Sequence, residues 1–426
     1  MEGWKYIKLG DILHIKHGYG FKGKYFVEEP NNNLLLTPGN FAIGGGYKSD
    51  KMKYYEGPIQ NDFILKPGDI IVTMTDLSKQ ADTLGYSAKI PNDTKNTYLH
   101  NQRLGLIKLK SNEYDLEYIY WLLRTDYYQR YIAGSSSGAT VKHTSPKKIY
   151  STRLLVPESI KTQQKIASIL SAYDDLIENN LKCIKLLEEK AQQTYEQWFV
   201  RMKFPGHETT PINPETGLPE GWEKVKLSKV IEISSSKRIF LSDYVESGIP
   251  FYRGKEIILK SKNAPLNDRL YISTKKFNEI KSKFGAPQKG DLLITAVGTL
   301  GYPYLVTDTD GNFYFKDGNL IWFKGNKSIS SIYLISCFKN SQFKKHLNNI
   351  AIGSSQKALT IKSLKGLQIL KPNEKTSKSY DNLVEPILDS VECLQNQNQF
   401  LKEARDILLP RLMTGMIDVD NLDINL

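Results

Sequence analysis

Three groupings in this chain have residue types that could do chemistry, and each fails on spacing. Gly18-Tyr19-Gly20-Phe21-Lys22-Gly23 fits Gly-x-Gly-x-x-Gly by letter, a pattern that cradles a pyrophosphate when a helix N-terminus follows it. Lys24 to Asn33 instead contains Pro30 and an Asn run, so the glycines have no phosphate to hold and a loop is expected. His14 and His17 are three apart, which on a strand sends the rings to opposite faces, so no metal site is expected. Asp and Glu are scattered, without the compact acidic cluster and neighbouring Lys that a nuclease would use. The chain also lacks Gly-x-x-x-x-Gly-Lys-Ser/Thr, His-Glu-x-x-His and Gly-x-Ser-x-Gly. Cys183, Cys337 and Cys393 have no Cys-x-x-Cys spacing and are expected to be reduced packing residues. Catalysis on this chain is not expected.

The elements that would position a binding site are written twice. Gly3-Trp4-Lys5-Tyr6-Ile7-Lys8-Leu9 returns as Gly221-Trp222-Glu223-Lys224-Val225-Lys226-Leu227. Lys66-Pro67-Gly68-Asp69-Ile70-Ile71-Val72-Thr73 is answered by Gln288-Lys289-Gly290-Asp291-Leu292-Leu293-Ile294-Thr295, and Gly134-Ser135-Ser136-Ser137 by Gly353-Ser354-Ser355-Gln356. A two-fold repeat implies two similar domains with two similar surfaces. Asp11 to Lys16 and Asp69 to Thr73 have strand composition, punctuated by Gly and Pro. One helical segment per half is read from the apolar spacing over Asp115 to Tyr131 and over Ile329 to Leu347. Each half is therefore expected to be a mixed α/β (α+β) domain.

Each half then closes in a heptad pattern. The first seam is Ile166, Leu170, Tyr173, Ile177, Asn180, Ile184, Leu187, Ala191, Thr194, Trp198, and the second is Val384, Ile387, Val391, Leu394, Asn398, Leu401, Arg405, Leu408, Leu412. Alternating steps of three and four over this length predict a coiled coil. Asn180 falls at a d position and Asn398 at an a position, so an antiparallel pair would put both amides in one polar layer that fixes register. Hydrated amides are the plain alternative. Pro386 and Pro410 predict that the second helix is regular only between them. Antiparallel helices would hold the two halves at opposite ends of a rigid spacer. The expected boundaries are 1–158 and 221–378 for the globular domains, 159–204 and 379–415 for the helical arms, 205–220 for a Pro/Gly-rich linker and 416–426 for a tail.

Charge follows this division. The chain carries a net +12, distributed as +5 over residues 1–160, +15 over 221–379, −2 over 161–220 and −6 over 380–426. Basic globular halves fit nucleic-acid phosphates, and acidic helices fit a different neighbour. In the first half the expected DNA contacts are Tyr19, Lys22 and Lys24 in the glycine loop, then Asn40, then Ser135, Ser136, Ser137, Thr140, Lys142 and His143. In the second they are Ser234, Ser235, Ser236, Lys237 and Arg238, then Arg253 and Lys255, then Ser354, Ser355, Gln356 and Lys357. Gly/Ser-rich tips admit a duplex closely, while Arg, Lys and Gln supply groups for phosphates and base edges. Met1 to Lys5 shows no secretory pattern and no apolar run approaches membrane-spanning length, so a cytoplasmic protein is expected.

These residues resemble the specificity subunit of type I restriction-modification enzymes over nearly the whole chain. The stretches that carry the resemblance are Gln164-Lys165-Ile166-Ala167-Ser168-Ile169-Leu170-Ser171-Ala172-Tyr173-Asp174 with Trp198-Phe199-Val200, Leu408-Leu409-Pro410-Arg411-Leu412-Met413-Thr414-Gly415, and Gly217-Leu218-Pro219-Glu220-Gly221-Trp222. The resemblance implies two target-recognition domains separated by a long antiparallel two-helix coiled coil, each domain reading half of a split duplex DNA target. It implies two modification subunits docked on the helices, with restriction/translocase subunits alongside. S-adenosylmethionine, ATP and magnesium would belong to those partners, with no cofactor on this chain. The weak similarity of the halves outside the shared frame implies an asymmetric target. A stand-alone nuclease or methyltransferase with an unrecognised site is the alternative, and a bivalent scaffold without nucleic acid is a third reading that the basic halves disfavour.

Overall fold

The computed structural model describes residues 3–49, 51–78, 80–138, 141–262, 264, 266, 268–325, 328–353 and 357–422. The chain divides into two compact units, Met1–Ile177 with Phe400–Leu426, and Glu178–Gln399. No helix among the described residues is long and apolar enough to cross a membrane.

In the first unit Trp4–Lys8 pairs antiparallel with Arg153–Pro157. An antiparallel sheet follows, with Leu13–His17, Leu104–Leu109, Ile70–Thr73 and Ser87–Lys89 in that spatial order. Ile70–Thr73 is buried along its whole length, as its β-branched run requires of a strand covered on both faces. A second sheet has Phe26–Val27, Tyr54–Tyr55, Asn33–Leu35, Thr97–Leu99 and Ile64–Leu65 in order, and Thr97–Leu99 runs parallel to Asn33–Leu35.

The second unit repeats the terminal strand pair and the main sheet, with a second sheet one strand shorter. Glu223–Lys226 pairs with Gln368–Lys371, and the main sheet runs Glu232–Ser234, Leu320–Lys324, Leu292–Thr295, Pro303–Leu305. The second sheet runs Tyr244–Val245, Leu270–Ile272, Ile249–Tyr252, Tyr314–Phe315, and its last pair is parallel, as Asn33–Leu35 and Thr97–Leu99 are in the first unit. The duplicated turn before the central strand shows why its letters persist. Gly68 and Gly290 take φ values of 80° and 85°, a region that favours glycine. Asp69 and Asp291 each close the turn by accepting from the backbone N–H three residues earlier, at 2.8 and 2.9 Å.

Local structure departs from the sequence reading in several places. Leu9–Ile12 and Leu227–Val230 are helical turns, so the strand expected from Asp11 begins at Leu13. Each single helix expected after the sheet is two. Thr125 ends Leu116–Leu122 and caps Asp126–Gly134, and Asn340 caps Ser341–Ile350 after Ser331–Lys339. The Asn340 Oδ1 accepts from Gln342 and Phe343 N–H at 3.0 and 3.3 Å, which favours a new helix start over continuation. The second unit also has two helices with no counterpart in the first, Gly254–Ser261 and Thr274–Phe284.

The long helices are Ile160–Tyr195, continued by a π-helical turn Glu196–Val200, and Glu374–Met413. The second runs unbroken through Pro386 and Pro410, against expectation. Both prolines are exposed, as are Asn382 and Asp406 four residues earlier, so the carbonyls left without a donor are hydrated instead of buried. Within each unit the helices run antiparallel. In the first unit Thr162 meets Asp420 at 2.6 Å, and Asp174 meets Arg405 twelve residues further along the first helix. In the second, Tyr195, Trp198 and Phe199 pack with Tyr333 and Tyr380 in an aromatic core. Cys337 lies in that core, whereas Cys393 is exposed and is not a packing residue.

Candidate nucleic-acid interface

In the first unit, the loop after Leu13–His17 is anchored at its base. Tyr19 bridges to Asn101, and its half-buried ring packs on Phe21 and Phe63 with centroids 5.2 Å away in both cases. No helix follows the glycines beyond a 3-10 turn, Gly23–Tyr25. Lys22 occupies the cap of that turn, and Lys24 extends over Tyr25 with Nζ 4.8 Å from the ring centroid. Both lysines are exposed, as a phosphate contact would require.

Asn40 is corrected: it is 1% exposed and committed to its own loop. Its Oδ1 accepts from the Thr37 N–H at 2.8 Å, and its Nδ2 donates to the Lys48 and Lys51 carbonyls at 3.3 and 3.4 Å. Nothing of the amide is left to read a base edge.

Ser137, Lys142 and His143 come together. Ser137 and His143 exchange backbone bonds of 3.0 and 2.8 Å, and Lys142–His143 pairs with Thr75–Asp76. The exposed His143 ring has Nδ1 3.2 Å from the Thr75 hydroxyl. Asp76 beneath it is buried, and burial would raise its carboxyl. Bonds from the Ser78 N–H and from the Thr83 N–H and hydroxyl, at 2.7, 2.6 and 2.7 Å, hold it below the ordinary carboxylate range. This strand-to-loop brace went unread in the sequence. Ser135 bonds back to the Ile132 carbonyl at 3.1 Å and Ser136 is half-buried, so they end a helix more than they offer a tip. Thr140 lies outside the described residues, as do Ser354, Ser355 and Gln356; Lys357 is exposed.

The second unit presents Ser234 to Arg238 in the equivalent loop. Ser236 is buried and Ser234 and Ser235 are half-buried, and the Ser234 and Ser236 hydroxyls have no hydrogen-bond partner among the described residues. Lys237 N–H donates to the Tyr314 hydroxyl at 2.8 Å, while its Nζ sits 4.3 Å from the Phe284 ring centroid. Arg238 is paired with Asp317 at 3.1 Å but stays 70% exposed. Arg253 is forked onto Glu256, whose oxygens lie 3.1 and 2.5 Å from its Nε and Nη2. Burial raises the Glu256 carboxyl, but Arg253 outweighs this and holds it below the ordinary range. Arg253 and Lys255 line an open cleft of about 510 Å³ with Asp268, Arg269, Leu270 and Asn319. Of these only Arg253 and Lys255 were legible beforehand.

The helices carry two polar devices. Asn180 Nδ2 donates to Asn398 Oδ1 at 3.0 Å, with the two residues 4% and 2% exposed. In the first unit, the Arg124 side chain is 3% exposed and bonds to Asp174 at 2.8 Å, the Tyr120 hydroxyl at 2.7 Å and the Gly44 carbonyl at 3.0 Å. Its guanidinium lies 4.2 Å from the Trp121 ring centroid. Burial would raise the Asp174 carboxyl, but Arg124 and Arg405 together hold it below the ordinary range. The triad ties a domain loop, a domain helix and both long helices of this unit together. No group of His, Cys, Asp or Glu that could hold a metal ion occurs among the described residues.

Comparison with known proteins follows the same division of the chain. The family model described as Type I restriction modification DNA specificity domain matches residues 1–189 and 219–399. The type I restriction enzyme MjaVIII specificity subunit of Methanocaldococcus jannaschii is 22% identical over 99% of this chain and 95% of its own length. The MjaIX specificity subunit of the same organism is 25% identical over 72% of this chain and 70% of its own. The HindI specificity subunit of Haemophilus influenzae is 23% identical over 98% of this chain and 100% of its own. The crystal structure of the type I restriction-modification S subunit from M. genitalium shares the fold, with TM-score 0.58, 15% identity and 96% of each chain covered.

Proposed function

The chain belongs to the type I restriction-modification DNA specificity family, and from that premise we propose that it is the DNA-reading subunit of a type I restriction-modification assembly. Each unit reads one half of an asymmetric, bipartite duplex target. The paired long helices set the unread spacer and dock two modification subunits, with restriction/translocase subunits joining them. Methyl transfer from S-adenosylmethionine and ATP- and magnesium-dependent cleavage belong to those partners, and this chain contributes recognition alone in the cytoplasm.

One observation carries the reading. The main sheet has the same strand order in both units, and in both the loop after its first strand enters a 3-10 turn with exposed cations at or just before it: Lys22 and Lys24 in one, Lys237 and Arg238 in the other. A duplicated scaffold with different side chains on the same loop suits two readers of two different sequences. Phosphate contacts would position each unit, while loop side chains meet base edges in the major groove. The test is co-expression with candidate modification subunits followed by methylome sequencing. A bipartite motif of two unlike halves is the expected result. Methylation by the chain alone, or a motif without a gap, would overturn the proposal.

A further inference from the structure

The 3-10 turn that follows the first sheet strand differs between the units at its most exposed positions. In the first unit it is Gly23–Tyr25, capped by Lys22. In the second it is Leu241–Asp243, with Phe240 at the cap. Phe240 and Leu241 are 61% and 85% exposed. An adjacent Phe-Leu pair turned out to water costs hydrophobic free energy that the unit does not recover internally.

The turn is held rigidly on both sides. Ile239 before it is buried among Phe251, Phe277 and Tyr314. The Asp243 carboxylate accepts from the Phe240 N–H at 2.9 Å and is itself paired with Lys276 at 3.4 Å. Lys276 and Phe284 stand at the two ends of Thr274–Phe284, and Phe284 lies under the Lys237 ammonium. The turn is therefore braced along that helix, which the first unit lacks. The helix buries Phe277 and Ile280 and exposes Lys275, Lys281 and Lys283.

An apolar tip with fixed geometry, flanked by Lys237, Arg238 and a lysine-bearing helix face, has the composition of a wedge for a polyanionic duplex. Cations hold the phosphates on either side while the apolar pair enters the base stack. We propose that Phe240 and Leu241 insert between adjacent base pairs in the half-site read by the second unit, partly unstacking them, and that the first unit has no such wedge. This rests on the DNA-reading function proposed above and adds to it a residue pair and a mode of contact.

The experiment uses the full-length chain and a duplex bearing the methylome-defined target, with 2-aminopurine placed at successive positions in both halves. Binding is followed by anisotropy and unstacking by 2-aminopurine fluorescence. The wild-type chain brightens the probe at one step, in one half only. Phe240→Ala with Leu241→Ala abolishes that rise and weakens binding about tenfold, or about 1.4 kcal/mol, with the salt slope unchanged because no cation is lost. Phe240→Trp restores the rise. Tight binding by the wild-type chain without brightening at any position would overturn the wedge and leave the reading function standing. Failure of the wild-type chain to hold the duplex would overturn both. Because both side chains are exposed, a loss of thermal stability in the double-alanine chain would itself contradict the assigned role.

Discussion

Asn40 and Asp174 show how far a side chain's type can mislead about its use. An amide after a Pro-Gly turn looks like a base reader, yet Asn40 closes its loop with an acceptor and two donor contacts while 1% exposed. Asn40→Ala leaves those backbone groups unpaired and is expected to cost about 1–3 kcal/mol of stability. The methylation motif should stay the same, and chemical denaturation with methylome mapping checks both. Asp174 sits between Arg124 and Arg405, whose charges keep its carboxyl below the ordinary range against the effect of burial. A depressed folded-state pKa gives stability that is present above the unfolded-state value and is lost as pH falls through the folded one. Asp174→Asn leaves two guanidinium groups without their shared carboxylate, at a cost of about 3 kcal/mol near neutral pH. The wild-type chain begins to give up that contribution below the unfolded-state value of about 4 and loses the rest as the pH falls through the lower folded-state value. Melting temperatures of the two chains should therefore converge on acidification, and a constant gap from pH 7 to pH 3 would contradict this account.

At the scale of elements, the heptad seams carried most of the legible information. Ile166, Leu170, Ile177, Ile184, Ala191 and Trp198 are buried, as are Val384, Ile387, Val391 and Leu412. Periodicity registers such positions because one helix face meets one partner along its length. The Asn180–Asn398 bond could be anticipated for the same reason. The positions misread were those where a single side chain competes with a periodic pattern. Thr125 and Asn340 divide helices that the apolar spacing made continuous, because a cap acts on two or three backbone groups that periodicity does not see. Pro386 and Pro410 failed to break a helix because the surrounding seam and an exposed face tolerate a missing donor. Thr75 and Asp76 were missed because strand pairing with Lys142–His143 spans a sequence distance that no local motif records. The amide layer makes a prediction of its own. Asn180→Leu alone buries the Asn398 amide without a partner and should destabilise the chain by about 1–3 kcal/mol. Substituting both asparagines with Leu should restore or exceed wild-type stability while relaxing register. Thermal melts of both variants, with cysteine cross-linking across the seam to report register, check the pair. A double variant no more stable than the single one would refute the shared layer.

At the scale of the whole molecule, two units with the same main-sheet order and different loops make recognition modular, and the length of the long helices becomes a measurable variable. Residues 181–187 and 391–397 are one heptad each, facing one another around the Asn180–Asn398 register. Deleting both preserves the amide layer and removes Ile184 and Leu187 together with Val391 and Leu394, so each remaining seam residue keeps a partner of the same kind. Seven residues rise about 10 Å at roughly 1.5 Å each, close to three base pairs at about 3.4 Å per step. If the helices set the spacer, the doubly shortened chain, co-expressed with its modification subunits, should methylate the same two half-sites with a gap shorter by about three base pairs. Shortening only one helix should instead offset the seam, leave Asn180 or Asn398 against an apolar neighbour, and abolish methylation through loss of stability. Methylome sequencing distinguishes the cases, because altered half-sites with an unchanged gap would place the spacer elsewhere in the assembly.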